Sequence, residues 1–348
     1  KTTAKESSLK QLKIRIAGVS MWGAHDYKKA RYMGQDKEFL DDRALHLVTR
    51  STEDVLEQAE SLPFWAQDYT QLNKGAFSGS INSLSRNGLQ IFRESMNRAV
   101  DEHAHPPKNS YVIGVASIVD SESSWGMLPL REKSLITLNS NSELLFRTSN
   151  YSEITATVIS AQRLENYAEQ VEKLDLHNLM ENVKPVELIS SETTSRIITA
   201  LTDGLRYITE ANQEDSLRMW HHFEDELLAV CMNALMEVKE PSGRHYDHRI
   251  HRYIVNRVRD VVLSNVSEQL TISEICTDLR ISRRTLNHAF AKVLGVTPVT
   301  YIRNVRLHRI RAELQSDPLN VSSIASVASK WGFWHMSLFS RYYRELRS

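Results

Sequence analysis

Several groups of residues have side chains suited to chemistry, and their spacing decides what they can do. His245, His248 and His251 recur every third residue and could suggest a metal site. Imidazoles spread over six positions fan around a helix rather than converge, so these read as solvated or phosphate-facing. His221-His222 beside Glu224, Asp225 and Glu226 reads as an exposed helix face, because adjacent side chains diverge. His103-Ala104-His105 mimics the metal ligands of a small β-barrel enzyme, but Pro106-Pro107 make it read as a loop. Gly75 to Ser80 is not a Gly-x-Ser-x-Gly elbow, and no Gly-x-x-x-x-Gly-Lys phosphate loop occurs. Cys231 and Cys276 form neither a disulfide framework nor a zinc pattern. Lys1 to Lys10 is polar, and no stretch approaches the ~18 apolar residues of a membrane span. The expectation is a cytoplasmic protein that is not an enzyme, with no catalytic residues, metal or cofactor.

What remains is charge. The 348 residues are 41% hydrophobic and 25% charged, ordinary for a soluble two-domain chain, and the formal net charge is zero. That zero hides a division. Arg244 to Ser348 holds 15 Arg and 2 Lys against 4 Asp and 4 Glu, net +9, which leaves −9 on the rest. Such asymmetry points to a nucleic-acid-binding module joined to something else.

The elements that must position this charge read as follows. Val238 to Arg244, with Pro241, Ser242 and Gly243, marks a boundary. Before it, Leu217, Trp220, Phe223, Leu227, Cys231, Leu235 and Val238 form one apolar helical stripe, as do Ile197, Ile198, Leu201, Leu205 and Ile208. The longer stripe could pack within the chain or pair with a second copy. From Phe64 to Ser160 the pattern is of short strands: 77–81, 89–92 after an Asn87-Gly88 hairpin turn, 111–119, 134–138, 144–147 and 154–159. The fold class is therefore α+β: a β-rich sandwich or barrel over 1–160, helices over 161–240, and an all-α domain over 241–348.

In that last domain an amphipathic helix spans Asp247 to Val266, and Thr271-Ile272-Ser273-Glu274 fits a capping box. A helix over 272–279, a turn at Arg280-Ile281, a cap at Ser282 and a helix ending at Gly295 make one helix-turn-helix. The pattern recurs after the Arg-rich helix Thr300 to Gln315. Asn320 caps 321–329, Trp331-Gly332-Phe333 turns, and His335 to Arg344 is the second reading helix. At ~1.5 Å per residue the connecting helix spans about 24 Å. With the flanking units added, two reading helices could reach successive major grooves ~34 Å apart.

Ile281-Ser282-Arg283-Arg284-Thr285-Leu286, Phe290, Leu294-Gly295, Tyr301-Ile302-Arg303, Arg306-Leu307, Ile324-Ala325, Trp331-Gly332-Phe333, Phe339-Ser340-Arg341 and Tyr343 together resemble the DNA-binding domain of the AraC/XylS family of bacterial transcription regulators. The resemblance implies that Arg283, Arg284, Asn287 and His288 face bases from the first reading helix, and His335, Met336, Ser337, Ser340 and Arg341 from the second. The chemistry agrees: Arg can grip guanine O6 and N7, Asn can pair with adenine, and Met336 could touch a thymine methyl. Ser282, Arg303, Arg306, Arg309, Arg311 and Asn320 are candidates for phosphate contacts, and the arginines equally for ion pairs. Trp334 and His335 stand where the family usually has Ser or Asp, which removes a cap or sets Trp334 against a sugar or a neighbouring helix.

The N-terminal part is faintly similar to the ethanolamine-utilisation regulator branch, through Trp65, Tyr69, 75–79 and 91–94, with Trp331-Gly332-Phe333-Trp334-His335 in the C-terminal part. The expected function is a sequence-specific regulator of transcription, an activator, acting on double-stranded promoter DNA as a homodimer with RNA polymerase. Its N-terminal domain would sense a small-molecule effector or mediate dimerisation. Trp65, Tyr69, Phe77, Phe92, Tyr111, Trp125 and Phe146 could line an effector pocket or simply form a β-core. The alternatives are a ligand-independent regulator governed by abundance or a protein partner, and a metal-dependent β-barrel enzyme fused to a DNA-binding module.

Overall fold

A computed structural model describes residues 39–40, 44–210, 213–238, 247–264, 271–316 and 323–347; over 207–210, 213–219, 221–222 and 247–249 the description is of the backbone. Residues 239–246, which include most of the expected boundary and His245, lie outside it, as do Asn320 and the side chains of His221, His222 and His248.

Twelve strands are described: β1 (46–52), β2 (66–71), β3 (79–86), β4 (89–96), β5 (100–105), β6 (110–118), β7 (124–125), β8 (128–129), β9 (135–138), β10 (144–147), β11 (152–160) and β12 (186–187). They form two antiparallel sheets, one ordered β1-β3-β4-β11-β6-β9-β12 and the other β2-β5-β10-β7-β8. The β3–β4 hairpin turns at Asn87 and Gly88, both at positive φ (48° and 74°), as the primed two-residue turn requires.

Period-two alternation sorts the side chains. Phe92, Ile154, Ala156 and Val158 point between the sheets and meet Trp125 and Phe146. Leu89, Ile91, Tyr111, Ile113, Val115 and Ile159 point the other way, under a helical layer. Burial on both faces explains the unbroken apolar run of β6. Within that run Gly114 lies so close to Ala156 that a Cβ would collide.

A short helix α1 (55–59) is inserted between β1 and β2 and packs with Tyr69, Phe77, Met96 and Val100, while the helical layer comprises α2 (161–167), a π-helical turn (168–172), α3 (176–182), α4 (191–210) and α5 (213–237). Trp220, Phe223, Leu227, Cys231 and Leu235 of α5 are buried against Ile197 and Leu201 of α4 and the sheet's outer face. Gly204 makes this approach possible, since a Cβ there would strike the Phe223 ring. The stripe read as a possible dimer seam is thus covered by its own chain from Trp220 to Leu235.

The C-terminal helices are α6 (247–264), α7 (272–278), α8 (283–294), α9 (298–316), α10 (324–330) and α11 (336–347). They hold two cores. Val255, Val258, Val262, Leu286, Phe290 and Tyr301 close the first helix-turn-helix around α6 and α9. Leu307, Ile310, Val327, Trp331, Phe339 and Leu346 close the second. Truncating a fully buried aromatic such as Phe290 costs about 3–5 kcal/mol.

Candidate nucleic-acid interface

Each helix-turn-helix unit is set by local chemistry. Thr271 and Glu274 form a reciprocal capping box at α7. Ser282 accepts a hydrogen bond from the Thr285 amide (3.1 Å) and starts α8, and Gly295 at φ 66° ends it. Between α7 and α8 the chain turns through Arg280, which takes a left-handed φ of 52° without being glycine. In the second unit the cap is Ser323, whose side chain accepts from the Ser326 amide (3.0 Å), and α10 begins at Ile324, not at 321. The chain turns at Trp331 and Gly332, where Trp331 is buried with its indole N–H donating to Glu313 (2.9 Å). Trp334 is exposed, and no neighbouring helix of the described residues covers it.

Arg283, Arg284, Asn287 and His288 all lie exposed on α8. The His288 ring stands edge-on to that of His251, with 5.0 Å between centroids. His251 is itself buried, which corrects the solvated reading of that histidine. On or just before α11, His335, Ser337, Ser340 and Arg341 are exposed, whereas Met336 is half-buried against the second core. The Arg341 guanidinium lies 5.1 Å from the Tyr342 ring, and Arg303 approaches the same ring at 4.4 Å. Two clusters of polar and cationic groups are thus presented on separate helices joined by the 19 residues of α9, a span of about 28 Å.

The other arginines of α9 turn elsewhere. Arg306 is half-buried beside Gly332, and burial lowers its pKa. Arg309 shares the Asp68 carboxylate with Arg259. Arg311 pairs with Asp54 and donates to the Tyr343 hydroxyl (2.9 Å). Of the arginines expected to meet phosphates or form ion pairs, the structure engages Arg309 and Arg311 with carboxylates of the N-terminal half.

That engagement belongs to an interface absent from the sequence reading. β2 and β5 present Asp68 and Asp101 on their outward face to α6 and α9. Arg252 donates to Asp101 Oδ1 (3.1 Å), and the Tyr301 hydroxyl donates to Oδ2 (2.8 Å). Burial would raise the pKa of Asp101, but Arg252 and His103 hold it well below the usual carboxylate range. Burial likewise opposes the charge of Arg259, and Asp68 more than restores it. Asn304 donates to the carbonyls of Gln71 (3.0 Å) and Leu72 (3.3 Å), while the Gln71 amide donates to His308 Nε2 (3.2 Å). These contacts cap the end of an edge strand. His308, as an acceptor, is neutral, and burial lowers its pKa to about 4. Leu72 and Ala99 join the first helix-turn-helix core, and Arg147 covers Gly295 at the end of α8.

The inner face of the same strands is polar as well. Tyr69 donates to Glu94 (3.2 Å), Gln58 donates to Glu94 (2.7 Å), and Gln67 reaches Tyr69 (2.7 Å) and Glu102 (3.5 Å). Burial pushes Glu94 up to about 7 and raises Glu102 well above its ordinary value. Alternation from Phe92 places Glu94 inward, so this carboxylate could have been read from sequence once β4 was drawn to its full length. β2 and β5 themselves were missed: His103-Ala104-His105 ends a strand rather than forming a loop, and Pro106-Pro107 mark only its end.

The seven aromatics proposed for a pocket do not converge. Trp65, Phe92, Trp125 and Phe146 fill the intersheet core, Tyr69 and Phe77 belong to a cluster with Val55, Met96 and Val100, and Tyr111 lies beneath the helices. The Trp65 and Trp125 indole N–H groups donate to Gln90 and to the Thr137 carbonyl, both at 3.0 Å. Four of the seven therefore serve the β-core. No helix of the described residues is long and apolar enough to cross a membrane.

Paired helix-turn-helix units with open polar faces define a DNA-binding module. Residues 275–347 match the family described as "Helix-turn-helix domain". It is 35% identical over 88 residues to the XylDLEGF operon transcriptional activator 2 of Pseudomonas putida, a match covering 25% of this chain and 56% of that protein. It is 24% identical over 156 residues to a probable thc operon regulatory protein of Rhodococcus erythropolis, covering 42% and 44%. The AraC-like transcriptional activator CuxR superposes with a TM-score of 0.37 at 18% identity, over 76% of this chain and 96% of that one. That superposition is too loose to transfer any arrangement. The matched region covers little more than half of the first relative and 27% of the next.

Proposed function

We propose that this protein is a sequence-specific DNA-binding regulator of transcription, an activator, whose α8 and α11 enter successive major grooves. The carrying observation is the paired exposure of Arg283, Arg284, Asn287 and His288 on one helix and His335, Ser337, Ser340 and Arg341 at the other. The helix-turn-helix family match, the resemblance to AraC/XylS-type domains and the activator names of the relatives support the reading. The N-terminal half acts as the regulatory domain, since β2 and β5 face the sheet interior on one side and the DNA-binding helices on the other. A small effector inside or a partner outside would move the same two strands. Pairing of two copies at adjacent half-sites, and contact with RNA polymerase, belong to the same proposal. The copies would meet through surfaces other than the Trp220–Leu235 stripe.

The test is selection of duplexes from a random-sequence library by the full chain, followed by Arg284→Ala. Wild type is expected to enrich a motif. The variant is expected to lose about 1–3 kcal/mol on it and to relax preference locally. An unchanged preference rejects Arg284 as a reader, and no enrichment by wild type rejects the function.

A further inference from the structure

The three interface aspartates share a geometry: each takes side-chain partners from two different helices of the C-terminal half. Asp68 joins Arg259 of α6 to Arg309 of α9, and Asp101 joins Arg252 of α6 to Tyr301 of α9. Asp54 joins Arg311 of α9 to Arg347 of α11. Two of these staples brace the first unit against the connecting helix, and the third reaches the second reading helix itself.

We propose that Asp54 is a positioning residue for DNA readout: it sets the angle of α11 to α9, and so the register between the two reading helices. The proposal rests on the DNA-reading function above. The second unit has its own apolar core, separate from the first, and the two are connected through α9. The polar ties on α11 lie in its last turns. Arg311 reaches Tyr343, Lys74 pairs with Glu345 (2.7 Å), Gln71 donates to the Leu346 carbonyl (3.1 Å), and Arg347 donates to Asp54 (2.8 Å). The reading residues Ser337 and Ser340 lie at the opposite end. From Arg347 to Ser337 is about 15 Å of helix, so a tilt of about 10° at the tethered end moves the reading end by about 2.6 Å. A hydrogen bond to a base edge does not survive that displacement. Asp54 is itself fixed: it is buried, and its Oδ1 accepts from the Leu56 amide (2.8 Å) while Oδ2 faces both guanidinium groups.

The test uses the full chain with Asp54→Asn, which keeps the cap on α1 but removes the charge, and Arg347→Gln, a change at the interface edge. Nitroxide labels at Ala291→Cys and Arg344→Cys, both exposed, report the angle between α8 and α11 by pulsed dipolar spectroscopy. Cys276→Ser removes the half-buried native thiol, and Cys231 is buried with its pKa pushed up to about 12, so it resists labelling. The labelled parent is expected to give one narrow distance and both variants a broadened one. In random-duplex selection, wild type should enrich two elements at a fixed spacing. Both variants should keep the α8 element and lose about tenfold or more of the preference at the α11 element, and Arg347→Lys should retain it. Narrow distances with the same two-element motif in both variants would overturn the proposal and leave the DNA-reading function standing. A wild type that enriches nothing would sink that function, and the readout claim with it.

Discussion

Replacing Asp101 by Asn tests whether the acidic N-terminal half holds the basic half by buried charge. The Asp101 side chain is fully buried and that of Arg252 is 4% exposed, so solvent screens this pair little. Asn can still accept from Tyr301, but it leaves the Arg252 charge without a carboxylate at 3.1 Å. Breaking one side of such a pair costs about 3–5 kcal/mol. At ~2–4 °C per kcal/mol, that corresponds to a fall in Tm of roughly 6–20 °C. The pH dependence supplies a second check. Asp101 has a depressed folded pKa, so its share of stability is present above its unfolded value of 3.8 and is lost as pH falls through the folded one. Wild type should therefore lose stability below about pH 4 by a component that Asp101→Asn lacks. Urea unfolding at pH 7 and pH 3, with Arg252→Gln and the double variant completing a cycle, measures both quantities. A loss under about 0.5 kcal/mol at pH 7, or additive effects in the cycle, would refute the buried-charge account.

Two further perturbations probe neighbouring features. Glu94 has a folded pKa raised from 4.5 to about 7 by burial, so the cost of its charge is absent at low pH and grows as pH rises through that interval. Glu94→Gln is expected to be about 3 kcal/mol more stable than wild type at pH 8, with the advantage fading towards pH 5; a destabilised variant at pH 8 in urea titration would contradict this. Gly295→Ala combines a left-handed φ of 66° with a collision against Arg147, and a loss of about 1–2 kcal/mol is expected by thermal melting. If Arg147→Ala does not restore part of that loss, the contact is not the cause.

The helices of the C-terminal domain were legible in the sequence because their signals are local. Thr271 and Glu274 box a helix start, Ser282 caps the next, and Gly295 ends it. The Asn87-Gly88 turn likewise fixed the β3–β4 hairpin. β2 and β5 were not legible. Their alternation is broken by buried polar side chains such as Gln67, Asp101, Glu102 and His103, whose partners lie far away in sequence. The same distance hid the interface, since nothing local to Asp68 indicates Arg259 or Arg309. The exposed face of α8 was legible because Ser282 caps that helix and Gly295 ends it. The fate of Arg309 and Arg311 was not, because each acquires its carboxylate from the other half of the chain. His251 was misread for the same reason: its burial depends on α8, not on its own helix.

The most direct measurement is a hydroxyl-radical footprint of the full chain on a duplex it selects. Two protected patches on one face, centred about 10–11 base pairs apart, are expected if α8 and α11 of one chain occupy successive major grooves. A single patch, or protection independent of sequence, would contradict the account.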